Sequence, residues 1–438
     1  MNPTVVPSAA RSDAFTALDA LLRRRLLERL APLRHGRIRL RDALGEVELG
    51  RCGEEHNDAE RDDTLAPAIV VHDPGFYRAL AANGSVGAGE AYIDGLWDCD
   101  DLVALVRLLV RNRDLLDSME TGWARIGGWA LRGWHRLRRN TRAGSRRNIA
   151  AHYDLGNEFF ALFLSQDLMY SSAVYAGEDD SLEAASQRKL ERICRKLDLR
   201  PDDRVIEIGT GWGGFAVYAA GRYGCHVTTT TVSREQYDLA AQRVREAGLD
   251  DRVTLLLQDY RDLRGQYDKL VSIEMVEAVG ADFLADYFGR VGALLAPHGL
   301  AMLQAITIED HRYRQALRQV DFIKRFVFPG SFIPSIGALL EAKTRASDLA
   351  LVQLDDFGPS YALTLRDWRR NFLRERARIE AMGYDRRFLR LWEFYLCYCE
   401  GGFRERSIGV AQMLLAKPGH RRAARLPEAE LHMSELRA

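Results

Sequence analysis

A glutamate followed by closely spaced glycines, Glu207-Ile208-Gly209-Thr210-Gly211-Trp212-Gly213-Gly214-Phe215, marks the first place where this chain could bind a reactive ligand. The apolar run Val205 to Ile208 leads into it, and Ala216-Val217-Tyr218-Ala219-Ala220 follows. That order reads as a buried strand, a tight turn and a helix start. Glycine there lets backbone N–H groups approach a ligand at the carboxyl end of a parallel strand. The spacing E-x-G-x-G-x-G-G differs from the dinucleotide fingerprint, in which the third glycine falls three positions after the second. On the loop alone, NAD and other nucleotide ligands stay open. A second chemical feature is Glu274 and Glu277, three apart where an apolar run meets a turn. Two nearby carboxylates split their pKa values, which suits one as a base and the other as a neutral hydrogen-bond donor.

The loop spacing resembles motif I of the class I S-adenosylmethionine (SAM) methyltransferases, whose loop wraps the methionine and ribose of a ligand without phosphate. Glu207, Gly209 and Gly211 would then serve SAM. In a dinucleotide fold the second strand ends in Asp or Glu for the ribose hydroxyls, but here it ends in Thr228-Thr229-Thr230-Thr231-Val232-Ser233, followed by Gln236. Thr231 and Gln236 can bind ribose through neutral groups, whereas Thr228 to Thr230 are equally well explained by β-propensity. Asp259 and Tyr260 follow the third strand, where methyltransferases bind adenine.

The elements that must position these residues alternate as a doubly wound sheet requires. RVIEIG, HVTTTTV, VTLLLQD, DKLVSIEM and LAMLQAITI read as five strands, separated by the helices GGFAVYAAGRYG, REQYDLAAQRVREAG and FLADYFGRVGALL. Two late strands, near LALVQLDDF and VAQMLLAKP, flank long helical stretches at 364–382 and 386–408. The expected fold is α/β, a Rossmann-like seven-stranded sheet of the class I SAM-methyltransferase type with an N-terminal α+β accessory domain. Expected boundaries are 1–120 for that domain, 121–150 for a basic linker and 151–438 for the catalytic domain. An aromatic-rich insertion, roughly 309–350, contains DFIKRFVFPGSFIPS.

Longer segments make the resemblance specific. HYDLGNEFF (152–160), LMYSSAVY (168–175), IEIGTGWGGF (206–215), TVSREQ (231–236), LLQDYRDL (256–263), IEMVEAVG (273–280), FIKRFVFPG (322–330) and FGPSYALTL (357–365) are similar to the cyclopropane-fatty-acyl-phospholipid synthase family, including its mycolic acid relatives. GEAYIDGLWD resembles the accessory domain of longer bacterial members. The resemblance implies methyl transfer from SAM to the double bond of an unsaturated acyl chain in a membrane phospholipid, giving a cyclopropane, with Tyr170 and Ser171 among the SAM residues. It also implies a bound bicarbonate as base, held at positions that are here Ser172, Glu277, Gln304 and Tyr361. Two of the four depart from the family's residues, Ser172 replacing a Cys and Gln304 a His, and the usual His after the Glu is Ala278. Both replacements can still donate hydrogen bonds to an anion. Glu274, at a position often small in ring-forming relatives, is expected to be the base or its anchor, or alternatively to bind the cofactor amine or a backbone N–H.

The 438 residues carry zero formal net charge and an ordinary apolar fraction, which argues against nucleic acid as a partner. Six scattered cysteines lack zinc-like pairing, so no metal site is expected and the thiols read as reduced, in a cytoplasmic protein. No secretory leader or membrane-spanning window is expected. Thr121 to Ala151 holds Arg125, Arg132, Arg136, Arg138, Arg139, Arg142, Arg146 and Arg147, no acid, and interleaved Trp123, Trp129 and Trp134. That segment reads either as a solvated linker helix or as a surface for anionic lipid headgroups, placing the protein peripherally on the inner face of a membrane. A homodimer is one assembly the sequence allows. Two rival functions remain, methylation without ring closure to give a methyl-branched unsaturated chain, and a non-catalytic lipid-binding protein.

Overall fold

The computed structural model describes residues 15–51, 65–115 and 156–421. The basic segment, the start of HYDLGNEFF and Cys52 therefore lie outside the described residues. The N-terminal part opens with α1 (Ala17–Leu30), started by a capping box in which the Asp19 N–H donates to Thr16 Oγ1. Strands β1 (Gly36–Asp42), β2 (Gly45–Arg51), β3 (Ala68–Val71) and β4 (Trp97–Cys99) form a sheet in the order β2-β1-β3-β4. Helices α2 (Gly75–Ile93) and α3 (Leu102–Arg111) complete this part, the former kinked at Gly84.

The larger part is a seven-stranded sheet. Its strands are β5 (Arg204–Ile208), β6 (His226–Thr231), β7 (Val253–Leu257), β8 (Tyr267–Ile273), β9 (Leu295–Ile308), β10 (Ala350–Asp356) and β11 (Ile408–Ala416), in the order β10-β11-β9-β8-β5-β6-β7. Neighbours from β9 to β7 run parallel, and β11 pairs antiparallel with both β9 and β10. The expected sheet and its C-terminal antiparallel pair are both present. β5 lies between β6 and β8, so the chain reverses its winding there, and ligands of open α/β sheets sit at the carboxyl ends of the strands at such a point.

Helix α4 (Asn157–Ala161) precedes α5 (Leu182–Leu197), which Ser181 caps by accepting from the Ala184 N–H. Next come α6 (Gly214–Tyr223), α7 (Arg234–Glu246), α8 (Leu284–Leu294), α9 (Asp310–Arg318) and α10 (Ile336–Ala346). The last helices are α11 (Gly358–Arg374), α12 (Arg376–Ala381) and α13 (Arg386–Arg404), so the stretch expected as one helix over 364–382 breaks near Glu375.

Helix α13 joins the two parts. Its Arg390 donates to the carbonyls of Tyr92, at 2.5 Å, and Trp97, at 2.7 Å, and lies over the Tyr92 ring. Gly401 lets α3 come close, since a Cβ there would meet Val106 at 2.7 Å. Arg107 and Arg111 both bind Glu405, at 2.7 and 2.8 Å. One apolar core runs through this junction, from Leu40 and Trp97 to Phe159, Trp368 and Trp392. Each large side chain buried in it contributes roughly 1.5–3 kcal/mol.

Candidate active site

The turn after β5 and the turn after β8 lie side by side, because β5 and β8 are register neighbours. At the first, Gly209, Gly211 and Gly213 all have positive φ. A Cβ at Gly211 would meet no protein atom within 4 Å, so the backbone borders open space where a ligand can lie against it. Thr210 Oγ1 is buried there without a partner. Glu207 lies beneath the loop, where its Oε2 accepts from Thr229 Oγ1 at 2.6 Å, and burial pushes its pKa up to about 8. That pairing ties β5 to β6 just before the turn.

The remaining residues expected to hold SAM are close at hand but partly engaged. Thr231 Oγ1 donates to Gln236 Oε1 at 2.9 Å, and Ser233 caps α7 through the Gln236 N–H. Asp259 Oδ1 accepts from the Arg261 N–H, and the Tyr260 ring lies under the Arg261 guanidinium. The Tyr170 and Tyr395 hydroxyls share a hydrogen bond at 2.9 Å, and the Tyr170 ring packs between Phe160, Trp368 and Phe328. Ser171 Oγ accepts from Lys189 Nζ at 2.8 Å.

At the second turn, Glu274 directly follows β8 with φ +49, a left-handed conformation that costs a residue bearing a Cβ about 1 kcal/mol. The strain persists because the side chain is clamped. Oε1 accepts from the Ser172 N–H and from Gln304 Nε2, both at 2.8 Å, and Oε2 accepts from the Tyr361 hydroxyl at 2.8 Å. Residues from three separate segments thus converge on one carboxylate. They occupy three of the four positions at which the family resemblance puts bicarbonate ligands. The Ser172 hydroxyl is not among the donors, since it turns to the Ala173 carbonyl and leaves the backbone N–H for Glu274.

Glu277 sits on the short turn Val276–Ala278, and its Oε1 accepts from the Ile306 N–H at 2.5 Å. Its Oε2 is buried without a partner. Both glutamates keep some exposure as residues, but the carboxyl groups themselves are desolvated. Burial, and then the Glu274 charge, push the Glu277 pKa up to about 8. Burial also raises Glu274, but its three hydrogen bonds and the nearby Lys189 ammonium pull it back toward the charged form. The two carboxyl groups therefore stand in unlike surroundings, Glu274 with three donors and a nearby cation that favour its charged form, Glu277 with backbone N–H donors alone and the repulsion of its neighbour. Burial and the Glu274 charge hold the Tyr361 phenol well above its usual pKa, so it remains a donor.

Sequence reasoning missed Lys189. The residue is fully buried on α5 between Ser186, Leu190 and Ile193, and burial brings its pKa down to about 8. Its sequence signal was a lysine four positions from Ala185 and from Ile193, on the apolar stripe of an otherwise charged helix. Among the described residues no His/Cys/Asp/Glu group could hold a metal ion. Five described cysteines are free, and no described helix is long and apolar enough to cross a membrane.

The fold and site define a class I SAM-dependent methyltransferase. The family model for mycolic acid cyclopropane synthetase matches residues 140–413, and the chain belongs to that family. It is 37% identical over 366 residues to the tuberculostearic acid methyltransferase UfaA1 of Mycobacterium tuberculosis, covering 82% of this chain and 85% of that protein. It is also 37% identical over 355 residues to the cyclopropane-fatty-acyl-phospholipid synthase of Escherichia coli K12, covering 80% and 88%. Among solved structures, the M. tuberculosis cyclopropane synthase MmaA2 superimposes with a TM-score of 0.58 at 29% identity, over 62% of this chain and 98% of that one. The mycolic acid cyclopropane synthase CmaA1 complexed with SAH and CTAB gives 0.58 at 27% identity, over the same shares.

Proposed function

We propose that the protein transfers a methyl group from SAM to the double bond of an unsaturated acyl chain in a membrane phospholipid and closes a cyclopropane ring, with Glu274 as the base. The single observation that carries this reading is the clamped carboxylate of Glu274, beside the glycine turn and lined by aromatic rings. SAM, bound at Gly209 and Gly211, supplies an electrophilic methyl. The alkene is a weak nucleophile, so alignment in a water-excluding site must supply much of the barrier reduction.

The alkene π electrons form the new C–C bond as the S–C bond breaks, which leaves S-adenosylhomocysteine and a carbocation. Tyr170, Trp368 and Phe328 form an aromatic cluster, with Trp368 also against the Tyr361 ring, whose faces would stabilise the positive charge. Ring closure then needs one proton removed from the new methyl group. Glu274, in its ionised form, accepts it, while Glu277, its pKa raised to about 8, stays mostly protonated at neutral pH and adds no second full charge. The Ser172 N–H, Gln304 and Tyr361 hold the Glu274 carboxylate in place of a separate anion.

A second product is favoured by one feature, the fixing of the base to the chain instead of to an exchangeable anion. If Glu274 reaches a neighbouring chain proton, the cation resolves to a methyl-branched alkene, and a relative named as a tuberculostearic acid methyltransferase shares 37% identity. Lipids from cells expressing the protein and fed trideuteromethyl-methionine separate the two by mass spectrometry. A ring keeps two deuterons of the transferred methyl, a methyl branch keeps three, and no mass gain at all sinks both readings.

The N-terminal part would act as an accessory unit, and the Arg/Trp segment 123–147 would dock the enzyme on the anionic inner face of the membrane. Support for this comes from its eight arginines, its tryptophans and its lack of acids.

A further inference from the structure

Gln304 is completely buried on β9, and it must present its N–H₂ to Glu274 for the clamp to work. A glutamine amide can face either way, since its two ends have nearly the same shape, and the orientation is chosen by its neighbours. The neighbours form a polar row across three adjacent strands. Gln304 on β9 is the register partner of Gln412 on β11, which is the register partner of Asp355 on β10. Gln412 Nε2 donates to Gln304 Oε1 at 3.1 Å, and Gln412 Oε1 accepts from Lys196 Nζ at 3.0 Å. Lys196, near the end of α5, is itself held by Asp355.

We propose that Lys196, acting through Gln412, is a positioning residue that sets the orientation of Gln304 and so keeps Glu274 as a hydrogen-bond acceptor. An ammonium group has donors and no acceptor, so only the oxygen end of Gln412 can face it. The Gln412 N–H₂ must then face Gln304, whose oxygen turns to meet it. The Gln304 N–H₂ is left directed at Glu274 Oε1 and at the Ser172 carbonyl, 3.2 Å away. Every link is satisfied only when a cation stands at one end and an acceptor at the other. Reversing Gln304 would set its oxygen against the Glu274 carboxylate and the Ser172 carbonyl. It would also turn Gln412 so that donor faces donor at Lys196. Buried polar chains of this kind have strong direction, because no water can repair a mismatched link. Other charged or titratable groups act on Glu274 from the surrounding elements, namely Lys189, Glu277, Tyr361 and Tyr395. None of them fixes the Gln304 amide, which is the part that Lys196 plays.

This inference rests on the reading of Glu274 as the base. Two variants of the full-length protein test it. Lys196→Met removes the cation. Gln412→Glu, nearly isosteric, keeps Lys196 partnered but leaves only acceptors facing Gln304, so the amide is pulled round; it is the informative variant if Lys196→Met does not fold. In each, SAM affinity by calorimetry should match wild type, kcat at neutral pH should fall about tenfold, and the acid limb of the kcat–pH profile should move to higher pH, because Glu274 loses a donor to its charged form. The double variant should lose no more than the worse single one, as expected for links of one chain. An unmoved pH profile in a folded variant, or multiplicative losses in the double variant, would overturn the positioning role. The base reading fails separately. A Glu274→Gln enzyme with wild-type turnover sinks both ideas, whereas an inactive Glu274→Gln together with an unmoved Lys196→Met profile sinks only this one.

Discussion

At the scale of single residues, the candidate site holds two buried carboxyl groups in unlike surroundings. Glu274 sits in a strained backbone conformation and accepts three hydrogen bonds, while Glu277 accepts from backbone N–H groups alone and keeps a buried oxygen unpartnered. Glu274→Gln, close in shape but unable to take a proton at neutral pH, is expected to lose at least about two orders of magnitude in kcat, the usual contribution of a general base. Stripping carbonate from the buffer should leave the wild-type rate unchanged. A near-normal Glu274→Gln enzyme that stalls without carbonate would restore a bound anion as the base. Glu207 offers a stability test with a definite sign. Its folded pKa, about 8, lies above the unfolded value of 4.5, so the native state holds a proton that the unfolded chain has released between those values. Its stabilisation is therefore complete below the unfolded pKa and lost as pH rises through the folded one. Melting temperature should fall less steeply between those two pH values in Glu207→Gln than in wild type, and parallel curves would refute the assignment. Glu274 and Glu277 were visible as a pair in the sequence, but which of them is clamped was not. That depends on Ser172, Gln304 and Tyr361, which lie far apart along the chain.

Elements bring those residues together. β5 and β8 are neighbours, so the glycine turn after one and the Glu274 turn after the other share an edge of the sheet. The Val205–Ile208 run and its glycines were legible because a buried parallel strand and a tight turn leave local signatures. Gly211 shows what the turn requires. Its φ of +51 disfavours any residue with a β-branch, and the open space beside it is where a ligand must lie. Gly211→Val should fold yet show no SAM binding by calorimetry. Unchanged affinity in a folded variant would mean that SAM binds elsewhere. The row Asp355–Gln412–Gln304 was not legible, because Gln304 and Gln412 each appear in sequence as a single polar interruption of an apolar run and Asp355 as one of several polar residues on its strand. Only strand register reveals that the three are aligned.

At the scale of the whole molecule, α13 ties the N-terminal part to the catalytic sheet through Arg390, Glu405 and a shared apolar core. The catalytic part thereby gains a second layer on the side of its aromatic cluster. The basic segment between the two parts carries the proposed membrane docking, in which each basic residue near anionic lipid would be worth about 1 kcal/mol. Sedimentation with anionic vesicles should weaken as salt rises and when Arg136, Arg138 and Arg139 are changed to Glu. Equal binding to neutral and anionic vesicles would remove that role from the segment.

The sequence by itself determined the class of fold, the cofactor turn and the family, because strand–turn–helix alternation and glycine spacing are local properties of the chain. It also marked Glu277, Gln304 and Tyr361 through ordered matches to known segments. Only the tertiary structure decided that Ser172, Gln304 and Tyr361 converge on the Glu274 carboxylate, that the Ser172 backbone and not its hydroxyl holds it, and that Lys189 and Lys196 are buried on α5. Those outcomes depend on which carboxylate collects the hydrogen bonds and which loses its water. Both are set by strand register and helix packing between residues about 30 to 100 positions apart.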